Sequence, residues 1–309
     1  MILAVSLSPS VDRTLMVPDV ELGKIHRPIT VIEVAGGKGF NVARCLMRLD
    51  YPVLAIGILG GPTGQWIREL ARSEGMNILD IPGSRNTRIC TSIVDTSNAV
   101  LTEFYEAATS VTRQEWDQLC VEVRHWARTA SWVTISGALP AGLSTDSMWQ
   151  LIEAAREGGA RVAIDTHGAS LQMAVRARPA VIKVNRHEAV ALLELADNTA
   201  ASEVCERLAA VVGATAVVTD GESGAWTFGD DQRTLHVNSA RRGDFPVGSG
   251  DCFLAGFVGA LSDSQPVGEA LRLASAAATA NAQVPGPGIF DLQDVEAFLS
   301  ETTTTTLEA

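Results

Sequence analysis

Cysteine, clustered positive charge and long apolar runs are all scarce in this 309-residue chain, and each scarcity removes a class of function. Cys45, Cys90, Cys120, Cys205 and Cys252 are odd in number and widely spaced, with no CxxC pair among them. That excludes a disulfide framework and leaves no zinc-ligand spacing, so reduced thiols in the cytoplasm are expected. No run of Lys or Arg offsets the formal charge of −12, and neither nucleic acid nor an anionic membrane surface is an expected partner. The apolar residues 1–7 are too few to span a bilayer and lack a basic flank and a cleavage site, which argues against export. His26, His125, His167, His187 and His236 form no HExxH and no close pair, so a metallohydrolase scheme has no support. Internal repeats are absent. So are the GxxxxGK[ST] loop and, after the first strand, the GxGxxG fingerprint.

The chain does have enough apolar residues for a large core, at 46% hydrophobic and 19% charged, consistent with one α/β domain and an appendage. Strand patterns at 2–7, 52–57, 132–136, 160–165, 180–183 and 216–219 alternate with helical patterns at 38–49, 63–74, 113–128, 145–157, 186–195, 202–212, 249–261 and 267–283. This alternation predicts a mostly parallel sheet covered on both faces. Segments near 13–17, 29–34, 88–94 and 100–105 alternate apolar with polar residues outside those units. The threonine run 302–306 and the following residues read as a frayed tail over 302–309.

Two glycine-rich turns carry the chemistry. Pro246-Val247-Gly248-Ser249-Gly250-Asp251 runs directly into an apolar helix. Glycines let backbone N–H groups approach an anion, and the first helical turn adds unpaired donors and partial positive charge. Asp251 could there accept the proton of an attacking hydroxyl, as phosphoryl transfer requires. The plain alternative is an ordinary helix start, with Ser249 capping and Asp251 facing the dipole. The second turn, Ala35-Gly36-Gly37-Lys38-Gly39-Phe40-Asn41, follows a β-branched run and opens another helix, now with a lysine. Two anion-binding turns fit two phosphates.

These turns, with Ser8-Pro9-Ser10-Val11-Asp12, Thr87-Arg88, Ser136-Gly137-Ala138-Leu139-Pro140-Ala141-Gly142, Lys183-Val184-Asn185-Arg186-His187-Glu188 and Thr219-Asp220-Gly221 through Gly224, fall in one order along nearly the whole chain. In that order the chain resembles the ribokinase-like PfkB sugar kinases, and within them the ketohexose-phosphate branch. PVGSGD, GGKG and SGxLPAGL look most similar to its tagatose-6-phosphate kinases. The resemblance implies a three-layer α/β/α domain with a mostly parallel central sheet over residues 1–301, and a small β-sheet lid drawn from about 13–34 and 88–105. It also implies a homodimer clasped through that lid.

What the resemblance implies for the site follows the motifs. Asp12 and Asn41 would meet sugar hydroxyls, while Lys38 and Arg88, assisted from the lid by Lys24, would hold the substrate's existing phosphate beside Gly36 and Gly37. A turn former is the plain reading of Asp12, a routine polar position that of Asn41, and solvation that of a lone basic residue. Asn185 and Glu188 would place Mg²⁺; the plain reading of Glu188 is a carboxylate in a helix's first turn. Lys183, Thr219, Gly221, Gly224 and Asn281 would line the ATP side. Val184 replaces the family's proline, Asp220 stands where an apolar residue is usual, and Phe245 replaces an Asp of the monovalent-cation site of ribokinase-type members. The expected reaction is Mg²⁺-assisted transfer from ATP to a ketohexose monophosphate: tagatose-6-phosphate, fructose-1-phosphate or fructose-6-phosphate. Asp251 is the expected base and the amides around Gly248, Ser249 and Gly250 the expected stabilisers of charge, with lid closure excluding water. A kinase for a free sugar or nucleoside, or a catalytically silent sugar-phosphate sensor, stays open at this point.

Overall fold

The computed structural model describes residues 1–144, 146–229 and 233–307. Its first half runs β1 (Ile2–Ser6), β2 (Ser10–Val17), β3 (Thr30–Gly36), α1 (Lys38–Arg48), β4 (Val53–Gly60), α2 (Gly61–Ser73), β5 (Ile78–Gly83), β6 (Arg88–Asp95), β7 (Val100–Tyr105), α3 (Arg113–Ala127) and β8 (Trp132–Ser136). There follow α4 (Asp146–Glu157), β9 (Arg161–Asp165), α5 (Gly168–Arg176), β10 (Val181–Asn185), α6 (Arg186–Leu193), α7 (Ala201–Val212) and β11 (Thr215–Thr219). The chain ends with β12 (Ala225–Phe228), β13 (Thr234–Val237), α8 (Ser249–Ser262), α9 (Val267–Ala282), α10 (Leu292–Glu301) and β14 (Thr304–Leu307). Thr145, the expected first residue of α4, lies outside the described residues.

The large sheet has the order β14-β13-β12-β11-β10-β9-β8-β1-β4-β5, parallel from β11 to β5 and antiparallel beyond. Its central strands are short and buried almost throughout, as strands covered on both faces must be. On one face Phe40 of α1, Ile67 of α2, Phe257 of α8, Leu271 of α9 and Val295 of α10 close a core with Ile2 and Ala4. On the other, Trp116 of α3, Leu151 of α4 and Ala174 of α5 pack on Leu3 and Val5, and Leu208 of α7 packs with Ile182 and Val184. The three layers and their mostly parallel sheet are those expected from the sequence.

Strand β1 sits where the order reverses, with β4 on one side and β8 on the other. Ligands of open α/β sheets bind outside the carboxyl ends of the strands at such a point. There β1 feeds β2 of the second sheet, whose order is β3-β2-β6-β7. Its registers set Ser10 between Gly36 and Arg88, so three elements carrying candidate substrate residues meet at one root. Ile29, Val31, Val100, Phe104 and Tyr105 of this small sheet and its edge are exposed.

The tail differs from expectation. Thr304–Leu307 pairs antiparallel with β13 as β14, and the Thr302 hydroxyl donates to the Phe298 carbonyl at 2.8 Å. β-branched residues suit a strand, and the open edge of β13 gives this run a ladder to join. Glu308 and Ala309 lie outside the described residues.

Candidate active site

The first glycine turn is pressed onto the bend between β1 and β2. A Cβ on Gly36 would lie 2.0 Å from Asp12 Cγ, one on Gly37 2.7 Å from the Ser8 carbonyl oxygen, and one on Gly39 2.4 Å from Ser6 Cα. Gly37 also has φ 91°, a left-handed conformation that favours glycine. This fit lets the Gly37 N–H donate to Asp12 Oδ2 at 3.2 Å, while the Ser10 hydroxyl donates to Oδ1 at 2.6 Å. Burial pushes the Asp12 carboxyl up, against the pull of Ser10, Gly37, Arg44 and Arg88.

Arg88 reaches the same root from β6, donating to the carbonyls of Glu106 (3.1 Å) and Ser8 (3.3 Å). Its Nε is buried without a hydrogen-bond partner, a donor an anion could satisfy. Lys24 is not brought to this group. It stands in the exposed connection from β2 to β3, and its side chain pairs with no other described residue.

Two helix starts, far apart in sequence, converge on Asp251. It lies in the first turn of α8, 5% exposed, and Oδ2 accepts from Asn41 Nδ2 of α1 at 2.8 Å. Burial pushes its carboxyl up to about 6, with Asp165 adding to the effect and Lys38, Asn41 and Lys183 opposing it. Asp165, at the carboxyl end of β9, accepts from Lys38 Nζ on Oδ1 and from Lys183 Nζ on Oδ2, both at 2.8 Å. Burial works against its charge, yet the two lysines hold it down at about 2. Burial likewise opposes the charge on Lys38, but Asp165, Asp251 and Glu188 outweigh it and keep the ammonium above its ordinary range.

Gly248 caps α8 in a left-handed conformation, φ 84°, and the Ser249 hydroxyl accepts from Asn281 Nδ2 rather than from a helix N–H. Ser249 is therefore not the capping group of the ordinary helix start. Its N–H donates to the Pro246 carbonyl at 3.0 Å, whereas those of Gly248 and Gly250 have no acceptor among the described residues. A Cβ on Gly250 would lie 2.8 Å from Lys183 Nζ, so the glycine admits the ammonium to the helix start.

Beside Ser249 and Gly250 opens a cavity of about 710 Å³, lined also by Thr219, Gly221, Gly224, Thr279 and, from the lid, Ala99 and Leu101. Its size suits a nucleotide-sized ligand. Asp220 does not line it; the carboxylates that do are Asp244 and Glu222, the latter paired with Arg242 at 3.1 Å. Asn281 does not line it either. Wholly buried, it donates to the Val247 carbonyl (2.8 Å) and Ser249 Oγ (3.0 Å) and accepts the Gly288 N–H (2.7 Å), so it braces the glycine turn rather than facing the cavity.

The pattern of the pfkB family carbohydrate kinases matches residues 5–294 of the chain. The chain belongs to that family. It is 31% identical over 281 residues to a 1-phosphofructokinase of Xanthomonas campestris, covering 89% of this chain and 88% of that protein. In fold it is similar to the phosphofructokinase-2 of Escherichia coli, solved with substrates and products (24% identity, 97% and 98% of the two chains, TM-score 0.90). It is equally similar to a possible 1-phosphofructokinase of Thermotoga maritima (22% identity, 100% of both chains, TM-score 0.90). As a family member the chain is a sugar-phosphorylating enzyme that uses ATP as co-substrate.

Asn185 and Glu188, the pair that the resemblance links to Mg²⁺, stand at the start of α6, with Glu188 in the first turn as its plain reading had it. Asn185 Oδ1 accepts the Glu188 N–H at 2.8 Å and Glu188 Oε2 accepts the Asn185 N–H at 2.9 Å, a reciprocal box that starts α6. This box supplies the turn stiffness that the proline would otherwise give, while Val184 stays in the buried ladder of β10. Glu188 Oε1 and a second lone pair on Asn185 Oδ1 remain, hard oxygen donors of the kind Mg²⁺ takes beside phosphate oxygens. The donor set fits the ion. Among the described residues no group of three His, Cys, Asp or Glu side chains could hold a metal unaided.

Two residues of the site were missed in the sequence. Arg44 lies on α1 three residues beyond Asn41, 1% exposed, and binds Glu74 Oε2 (2.5 Å), the Ala35 carbonyl (2.5 Å), Asn41 Oδ1 (3.1 Å) and the Pro287 carbonyl (3.2 Å). An arginine surrounded by apolar helix positions was the available signal. Asp165 was recognised only as the end of a strand; a carboxylate at the carboxyl end of a central parallel strand should have marked it.

Proposed function

We propose that the enzyme transfers the γ-phosphoryl group of ATP to the free primary hydroxyl of a ketohexose monophosphate. The observation that carries this reading is Asp251, buried at the start of α8, hydrogen-bonded to Asn41 and flanked by the lysine pair on Asp165. Asp251 accepts the proton of the attacking hydroxyl, and a carboxyl near 6 is mostly ionised at neutral pH. Asn41 orients it. The N–H groups of Gly248 and Gly250, with Lys183 beneath them, stabilise charge on the transferring group. ATP occupies the cavity between Thr219, Gly221 and Gly224 and the α8 start. Asn185 and Glu188 hold Mg²⁺, which when bound neutralises the polyphosphate oxygens.

On the sugar side Asp12 accepts from the hydroxyls, while Arg88 and Lys38 hold the existing phosphate. The relatives named for phosphofructokinase activity favour a phosphorylated ketose, with fructose-1-phosphate first. The exposed apolar residues of the small sheet favour a homodimer clasped through it, within which Lys24 approaches a site. The five cysteines, all unpaired, fit a cytoplasmic enzyme. ADP release measured over fructose-1-phosphate, fructose-6-phosphate, tagatose-6-phosphate and the free ketoses tests the reading. Preference for one phosphate is expected; equal use of free and phosphorylated ketose would overturn the roles given to Arg88 and Lys38.

A further inference from the structure

A polar row crosses the central sheet at its carboxyl end. The registers set Ser6 of β1 beside Ser136 of β8, and Ser136 beside Asp165 of β9. Ile164 lies opposite Ile182, so Asp165 and Lys183 are the next pair across β9 and β10. Paired residues of parallel strands point to one face, here the face that also buries Ile2 and Ala4 against α1 and α8. All four residues of the row are at most 4% exposed. Asp165 is its centre, one oxygen on Lys38 of the first glycine turn, the other on Lys183 beneath the second.

A buried carboxylate with two ammonium groups is a poor way to fill a core, because desolvation offsets much of the Coulombic gain and apolar residues would pack there at lower cost. The triad therefore needs an explanation other than stability. Lysine side chains are long and flexible, and without Asp165 the two ammonium groups would repel and spread. We infer that Asp165 is a positioning residue, holding the sugar-side Lys38 and the nucleotide-side Lys183 at a fixed spacing on either side of the phosphoryl group in transfer. The inference rests on the kinase reading above and extends it to a residue that need touch neither substrate.

The test compares Asp165→Asn and Asp165→Glu with the wild type on ATP and the preferred sugar phosphate, after circular dichroism and thermal melting establish folding. In the Asn variant the lysines lose their tether, so kcat falls by about 100-fold and KM rises for both substrates. The charged or titratable groups acting on Asp251 are Lys38 and Cys45 of α1, Asp165 of β9 and Lys183 of β10. Removing the Asp165 charge leaves the lysines less opposed, so the acid limb of the pH–rate profile moves below its wild-type position. A role confined to folding would leave both KM values of the folded variant at their wild-type level. The Glu variant keeps the charge but shifts both ammonium groups, and loses rate with its acid limb in place; it decides the matter if the Asn variant does not fold. A folded Asn or Glu variant with kcat within about threefold of wild type overturns the inference. So does a rise in one KM alone. A wild type inactive on every sugar phosphate overturns the kinase reading and the inference with it, whereas an active wild type with an unimpaired Asp165→Asn variant overturns the inference alone.

Discussion

Asn41 Nδ2 donates to Asp251 Oδ2 at 2.8 Å, joining the first turns of two helices through residues 210 apart in sequence. The contact fixes one carboxylate oxygen and leaves the other for a substrate hydroxyl. A neutral amide is the right partner. Burial raises the carboxyl's proton affinity and Asp165 adds to it, Lys38, the Asn41 amide and Lys183 lower it, and the balance stands at about 6.

The sign of the pH dependence follows. Asp251 accepts a proton, so it works in its ionised form, and activity is lost as pH falls through its folded value of about 6. Below that point kcat/KM should drop by about tenfold per pH unit. In Asp251→Asn the limb should vanish and kcat should fall by about 10²–10⁴ with little change in ATP binding. A pH–rate profile and an ATP titration check both; near-wild-type turnover in the variant removes Asp251 from the mechanism.

Arg88 gives the second prediction. Its Nε lacks a partner and its two terminal nitrogens hold backbone carbonyls at the lid root. Arg88→Ala should raise KM for the sugar phosphate by about 10- to 150-fold, the equivalent of about 1.5–3 kcal/mol, and leave KM for ATP unchanged. Steady-state kinetics with each substrate varied in turn distinguish this from a general loss. An unchanged sugar-phosphate KM would free Arg88 of its assigned role.

Arg44 should matter to folding more than to chemistry. It is buried and satisfied by Glu74, two carbonyls and Asn41, so Arg44→Met leaves Glu74 and the Ala35 turn without their cation. Breaking one side of such a pair costs about 3–5 kcal/mol, and the double variant Arg44→Met/Glu74→Gln should recover part of it. Urea unfolding of both proteins measures the difference. Equal stability of wild type and single variant would contradict this account.

Sequence made the parallel core legible because its strands are continuous apolar runs, and the site legible because its turns are glycine-rich beside charged residues. β5, β12, β13 and β14 were not read, since short strands at and beside the sheet's edges, such as Thr304–Leu307, take their identity from a partner rather than from their own pattern. The roles of Asn281 and Glu188 show the same limit. A residue's place in the sequence alone does not distinguish a side chain that braces a turn or starts a helix from one that faces a ligand. Asp165 and Arg44 act through tertiary ion pairs, 127 and 30 residues from Lys38 and Glu74, which no local window contains.

The lid supplies a prediction about assembly. Ile29, Phe104 and Tyr105 are 68%, 61% and 54% exposed around a four-stranded sheet that is marginal without a covering layer. If a second copy covers the face that carries Phe104, Phe104→Asp should give a monomer by light scattering, and specific activity should fall on dilution of the wild type, because Asp12 and Arg88 lie in the same sheet. A fully active wild-type monomer would refute the clasp.

Gly250 offers the sharpest separation of fold from function. In Gly250→Ala the added methyl would lie 2.8 Å from Lys183 Nζ, too close for an unadjusted contact, and outside its chain neighbours and its own helical turn no other heavy atom lies within 4 Å of it. The obstacle is the end of a flexible side chain, so the ammonium can move by a fraction of an ångström. Gly250 does not need a left-handed backbone, and alanine favours a helix by about 1 kcal/mol over glycine. Stability should therefore stay near wild type or rise slightly. The displaced ammonium, however, is the one that Asp165 holds beneath the α8 start, and misplacing such a group by about 1 Å costs on the order of 10²-fold in rate. A variant with an unchanged melting temperature and a kcat reduced by about 10- to 100-fold is expected. Gly250→Ala with full activity would mean that Lys183 need not stand at the helix start for transfer to occur.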